Sequence, residues 1–147
     1  MRKILAFLLV LAFGAFPSWA SLGLSERSVH EDQQRMSGQL RSATFDGYTV
    51  HEISGAGGVV VREYVSPVGN VFGVVWDGPT MPDLSHLLGP YYSQYQQAVA
   101  SARSHRGPLF VQAGPLTVES GGHLPAFHGR AFVASLIPAN LTKDVIR

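Results

Sequence analysis

The side chains best suited to chemistry lie close together in the last third of the chain, in Glu119-Ser120-Gly121-Gly122-His123 and then His128-Gly129-Arg130. Two imidazoles, a carboxylate and a guanidinium near a glycine-rich turn are the components of an anion site or a metal site. On that reading Glu119, His123 and His128 would serve a small hydrolase or a metal-dependent enzyme. The plainer reading is that the glycines turn a hairpin and the histidines are strand-end residues satisfied by hydrogen bonds. The plainer one is favoured, because a zinc site takes three or four ligands at recognisable spacing.

Two other groups invite a binding role. Trp76-Asp77-Gly78-Pro79 has the composition of a binding loop, although a tryptophan at a strand end more often packs inward. Tyr91, Tyr92 and Tyr95 would suit a carbohydrate or peptide platform, but their spacing is that of a helix face turned to a core. Arg62, set among apolar neighbours, is expected to pair with a carboxylate. The candidate binding residues are therefore Trp76, Asp77, Pro79, His123, His128 and Arg130, with no catalytic residue, metal ligand set or cofactor assigned.

The better-defined catalytic patterns are missing. His51-Glu52 and His30-Glu31 each begin a zinc-protease motif, but positions 55 and 34 are Gly and Gln where the second histidine belongs. Gly55-Ala56-Gly57-Gly58 lacks the third glycine and following helix of a phosphate loop, and reads as a turn. No serine stands in G-x-S-x-G and no Ser-x-x-Lys occurs.

Elements that would position these residues can be read from periodicity. Ser25 to Leu40 carries a narrow stripe of Val29, Met36 and Leu40, which predicts a mostly exposed helix with Ser25 as its cap. From Tyr48 the chain turns β-branched: YTVHEIS, the glycine turn, VVVREYV, a turn at Ser66-Pro67-Val68-Gly69, then NVFGVVW. A Pro67–Gly69 loop sets Val65 opposite Val71, Tyr64 opposite Phe72, Arg62 opposite Val74 and Val60 opposite Trp76. One face then carries Val60, Tyr64, Phe72, Val74 and Trp76 as core. The other carries Val59, Val61, Glu63, Val65, Val71 and Val75, and is apolar enough to be covered.

The loop from Asp77 to Pro82 leads to a helix with Pro82 at its first position, Thr80 or Met81 before it and Asp83 in its first turn, which Gly89-Pro90 interrupts. A second helix over 90–104 shows Tyr92, Tyr95, Val99 and Ala102 on one edge. Three further strands follow: LFVQA, PLTVES and AFHGRAFVASLI, the last ended by Pro138, with a loose tail over 139–147. Strands and helices in this order predict an α+β domain. The expected form is one antiparallel sheet of about five strands, with one or two helices packed on a face and a cleavable signal helix in front.

That signal helix is expected from Arg2-Lys3, the apolar run Ile4 to Phe16, and small Ser18 and Ala20 at the cleavage-determining positions. The apolar run is shorter than the roughly 20 residues a membrane span needs. Expected organisation is thus a signal peptide at 1–20, a polar, partly helical segment at 21–44, and a single domain at 45–147. Export to the periplasm or beyond follows, with no transmembrane segment after cleavage. With Arg2 and Lys3 set aside, nine of the 11 Lys and Arg remain against 10 Asp and Glu, a formal net charge of −1. The arginines are dispersed, so no nucleic-acid partner is expected. There is no cysteine, which excludes disulfides, thiolate chemistry and lipid attachment at cysteine.

Several stretches taken together resemble a known family: Ser21-Leu22-Gly23, Tyr48-Thr49-Val50-His51-Glu52, Glu63-Tyr64-Val65-Ser66-Pro67 through Val71-Phe72, Trp76-Asp77-Gly78-Pro79 with Pro82-Asp83-Leu84, Leu87-Leu88-Gly89, and Ser120-Gly121-Gly122-His123 through Gly129-Arg130-Ala131. The family is an uncharacterised exported one of Gram-negative bacteria, catalogued as domain of unknown function 2844. The resemblance implies export and a single domain, and brings no catalytic role to any residue. The expected function is that of a non-enzymatic accessory protein of the cell envelope. It would bind an envelope protein or surface polymer through the Trp76–Pro82 loop or the Gly121–His128 turn.

Overall fold

A computed structural model of the chain describes residues 22–101 and 107–147. The expected signal peptide lies outside these residues, as do positions 102–104 of the second expected helix.

Among the described residues one antiparallel sheet of seven strands organises the fold, where about five were expected. In chain order the strands are β1 (Gln39–Phe45), β2 (Tyr48–Ser54), β3 (Val60–Val65), β4 (Val71–Gly78), β5 (Leu109–Ala113), β6 (Leu116–His123) and β7 (Ala126–Val133). Their order across the sheet is β1-β2-β3-β4-β7-β6-β5. Part of the excess is β1, which takes residues 39–44 from the expected N-terminal segment into the sheet. The helix expected over 25–40 is a shorter α1, Arg27–Arg35, and Ser37 (φ +47°) and Gly38 separate it from β1.

Among the described residues three α-helices accompany the sheet: α1 from the N-terminal segment, and α2 (Leu84–Leu87) and α3 (Tyr92–Ser101) from the two expected between β4 and β5. Asp83 caps α2 by accepting from Ser85 N at 2.9 Å, so the helix starts at Leu84, two residues later than the proline signal suggested. A 3-10 turn at Gly89–Tyr91 divides α2 from α3, as the Gly-Pro pair predicts. Tyr91, Tyr92, Tyr95 and Ala98 rest half-buried against the main core, so the tyrosines pack rather than form a free platform. Val99, expected on that edge, is one of the exposed hydrophobic residues.

The hairpin of β3 and β4 corrects the expected register. Val65 does face Val71, but a bulge follows, and Tyr64 then pairs with Gly73, Arg62 with Val75, Val61 with Trp76 and Val60 with Asp77. One extra residue in β4 moves every later side chain to the opposite face. The main core cluster therefore holds Val61, Val65, Val71, Val74 and Trp76, together with Leu22, Val29, Leu87 and Leu88 from the N-terminal and α2 segments. Gly73 sits at this bulge under Ile146, whose Cδ1 lies 2.8 Å from where a β-carbon on Gly73 would stand.

Ile146 belongs to a smaller core on the outer face with Tyr64, Phe72 and Phe132. The C-terminal tail is thus bound rather than loose: Ile146 is fully buried, and the Tyr64 hydroxyl donates to the Arg147 carbonyl and accepts from its amide. The last strand stops at Val133, ahead of the expected Ile137, and passes into a 3-10 turn.

Candidate functional site

Strand alternation settles which side chains share the outer face. β6 and β7 pair Glu119 with Arg130, Gly121 with His128 and His123 with Ala126, while β4 and β7 pair Val75 with Arg130 and Asp77 with His128. Partners across a sheet point the same way. Asp77, Glu119, His128 and Arg130 therefore come together on one surface.

That surface is a groove of about 570 Å³, lined by Val75, Asp77, Phe110, Glu119, His128 and Arg130 among others. Pro108 and Phe110 form its far wall at β5. Phe110 is 64% exposed, an unusual state for so large an apolar ring on an edge strand. The imidazole of His128 leans over β6, its Nε2 3.0 Å from where a β-carbon on Gly121 would stand.

Charges in and beside the groove are already paired. Arg130 Nε donates to Glu119 Oε2 at 2.9 Å and its Nη1 donates to the Ile146 carbonyl at 3.1 Å. Arg62, as its setting suggested, donates from Nε to Glu52 and from Nη1 to Asp77, each at 2.9 Å. Burial works against the charge of Arg62, yet the hydrogen bonds to Asp77 and Glu52 outweigh it and raise its pKa above the usual value. The side chain of Trp76 borders this region but is fully buried in the core on the helix side, opposite Gly129 of β7.

Two expected binding residues stand apart. Trp76-Asp77-Gly78 is strand rather than loop, and Pro79 lies beside the Gly55–Gly58 turn, 3.5 Å from a β-carbon position on Gly58. His123 is exposed at the hairpin tip, where its Nδ1–H donates to the Leu124 carbonyl at 3.1 Å. Among the described residues no three His, Asp or Glu side chains converge so as to hold a metal ion.

A second polar system, which the sequence reading missed, lies on the helix side of the sheet. His51 on β2 is nearly buried; its Nε2–H donates to Glu26 Oε1 at 2.8 Å, and its Nδ1 is hydrogen-bonded to the Ser42 hydroxyl at 2.7 Å. Opposite His51 on β3 stands Glu63, fully buried, and beside Glu63 is Asp32 of α1, 3% exposed. A carboxylate within a β-branched strand was the available signal for Glu63. For Phe110 the signal was its sharing a strand face with Gln112 in LFVQA, since a polar neighbour marks a wet face.

A single antiparallel sheet with helices on one face and a short C-terminal cover on the other defines an α+β domain whose outer face carries a partly apolar groove. The chain belongs to the family described as a protein of unknown function, DUF2844, whose model matches residues 18–146. Neither the search of curated proteins nor the search of solved structures returned a match.

Proposed function

We propose that this protein is a non-enzymatic, exported accessory protein of the cell envelope that holds a partner protein in the groove between β4 and β5. The observation that carries this reading is the combination of an exposed Phe110 with a groove whose carboxylates are already engaged by arginine. Such a surface offers apolar contact with fixed polar edges, which suits recognition. Its volume falls in the range of roughly 300–1,000 Å³ common for binding clefts. Export is supported by the pattern of residues 1–20.

A hydrolytic or metal-dependent role for Glu119, His123 and His128 has less support. Glu119 is committed to Arg130 and His123 is turned to its own backbone.

The test is retention of envelope proteins by immobilised purified protein, comparing wild type with Phe110→Asp and with Val68→Asp. Val68 is 82% exposed at the β3–β4 turn and serves as the surface control. Retention of a defined protein that survives Val68→Asp and is lost with Phe110→Asp supports the groove. Equal retention by all three, or none by the wild type, refutes it.

A further inference from the structure

Glu63 and Asp32 present an electrostatic problem that only a proton solves. Glu63 sits at the centre of β3 with neither carboxyl oxygen hydrogen-bonded to a donor among the described residues, and Asp32 Oδ2 is likewise buried without one. Two adjacent carboxylates cut off from water cannot both be ionised, whereas one shared proton turns their repulsion into a hydrogen bond. Among the described residues no lysine or arginine reaches Glu63. The groups around the pair are Glu31 and Arg35 on α1, His86 on α2, and His51 facing Glu63 from β2. Arg35 and His86 act on Asp32 from a distance, and Glu31 opposes them. His51 is engaged with Glu26 and Ser42.

Position gives the pair its consequence. Asp32 belongs to α1 and Glu63 to the sheet; the helix is also held by buried Val29, by the bond between Glu26 at its N-terminus and His51, and by Met36 at its C-terminus. The contact between the two acids is the tie at the middle of the helix. We propose that a single proton shared between Asp32 and Glu63 latches α1 onto the sheet, so that the helix lifts as the surrounding pH rises and stays seated when it falls. Lifting would uncover Val29 and the adjoining faces of β2 and β3. Burial raises Glu63 well above the ordinary carboxylate range, and Asp32 to about 6, so the seated pair holds a proton that two solvated carboxylates would have released.

The absence of native cysteine supplies a clean probe. In purified protein carrying Val29→Cys, the buried thiol reacts with a thiol reagent only when α1 lifts, and its rate is divided by that of an unstructured cysteine peptide at the same pH. Between pH 5.5 and 8.5 the protection is expected to fall by roughly tenfold or more, as release of one proton on lifting requires. Adding Glu63→Gln, whose amide can donate to Asp32 at any pH, is expected to make protection independent of pH. Asp32→Asn tests the same point from the other side, and serves if the first variant does not fold. Constant protection in the wild type, or the same decline in a folded neutralised variant, overturns the latch.

Discussion

The indole of Trp76 occupies the space over Gly129 on the neighbouring strand, where the two residues are paired across β4 and β7. A β-carbon at 129 would collide with Trp76 Cζ2 and Cε2. The tryptophan is fully buried and hemmed in by the core, so it cannot turn aside cheaply. Gly129→Ala is therefore expected to cost about 1–3 kcal/mol by overpacking, seen as a lower urea midpoint with an unchanged slope. A midpoint equal to wild type would show that the ring has room to move.

Ile146 closes the outer-face core from the far end of the chain. Ile146→Ala should cost about 2–5 kcal/mol, since it removes a fully buried side chain above Gly73 and leaves a cavity. Val68→Ala, at the exposed hairpin turn, should stay within about 0.5 kcal/mol. Thermal melts of the two variants side by side separate a structural C-terminal tail from a dispensable one.

Stability should also depend on pH with a sign opposite to that of salt-bridged carboxylates. Burial raises the Asp32 pKa from 3.8 to about 6, so the folded state holds a proton that the unfolded chain has already released. Its share of the stability is complete below the unfolded value and is lost as pH rises through about 6, at up to about 1.4 kcal/mol per unit. Glu63, raised well above its ordinary value, extends the decline to higher pH. Urea denaturation from pH 5 to 8 should show this fall in wild type and a flatter profile in Asp32→Asn.

Phe110→Ser should leave stability within about 0.5 kcal/mol because the ring is mostly exposed. Its core-side neighbours Leu109 and Val111 keep β5 attached. A large loss of stability on this change would mean that the ring supports the fold rather than a partner.

Much of the fold was legible where the local signal was strong. The Pro67–Gly69 turn, the break at Gly89-Pro90 and the strand Leu109–Ala113 follow from turn chemistry and β-branched alternation. What misled was a single residue: the bulge at Phe72-Gly73 leaves no mark in composition, yet it moves Trp76 and Val61 to the same face and reverses the assignment beyond it. Strand β1 was hidden because QLRSATF is polar and nearly all exposed, so an edge strand looks like the tail of a helix. The candidate site was legible in half. His128 and Arg130 share a groove with Asp77 as residue types suggested, but Asp77 meets them, and Phe110 beyond them, only through the non-local pairing of β4 with β7.

Photo-crosslinking in living cells asks whether the groove between β4 and β5 holds a partner protein. A photoreactive phenylalanine analogue at position 110 lies on the groove wall, and the same analogue at position 68 lies at the distant turn. A partner protein in the groove predicts a discrete adduct from position 110, absent from position 68 and diminished by Arg130→Ala. Identical patterns from both positions, or no adduct from position 110, would mean that the groove holds no partner protein.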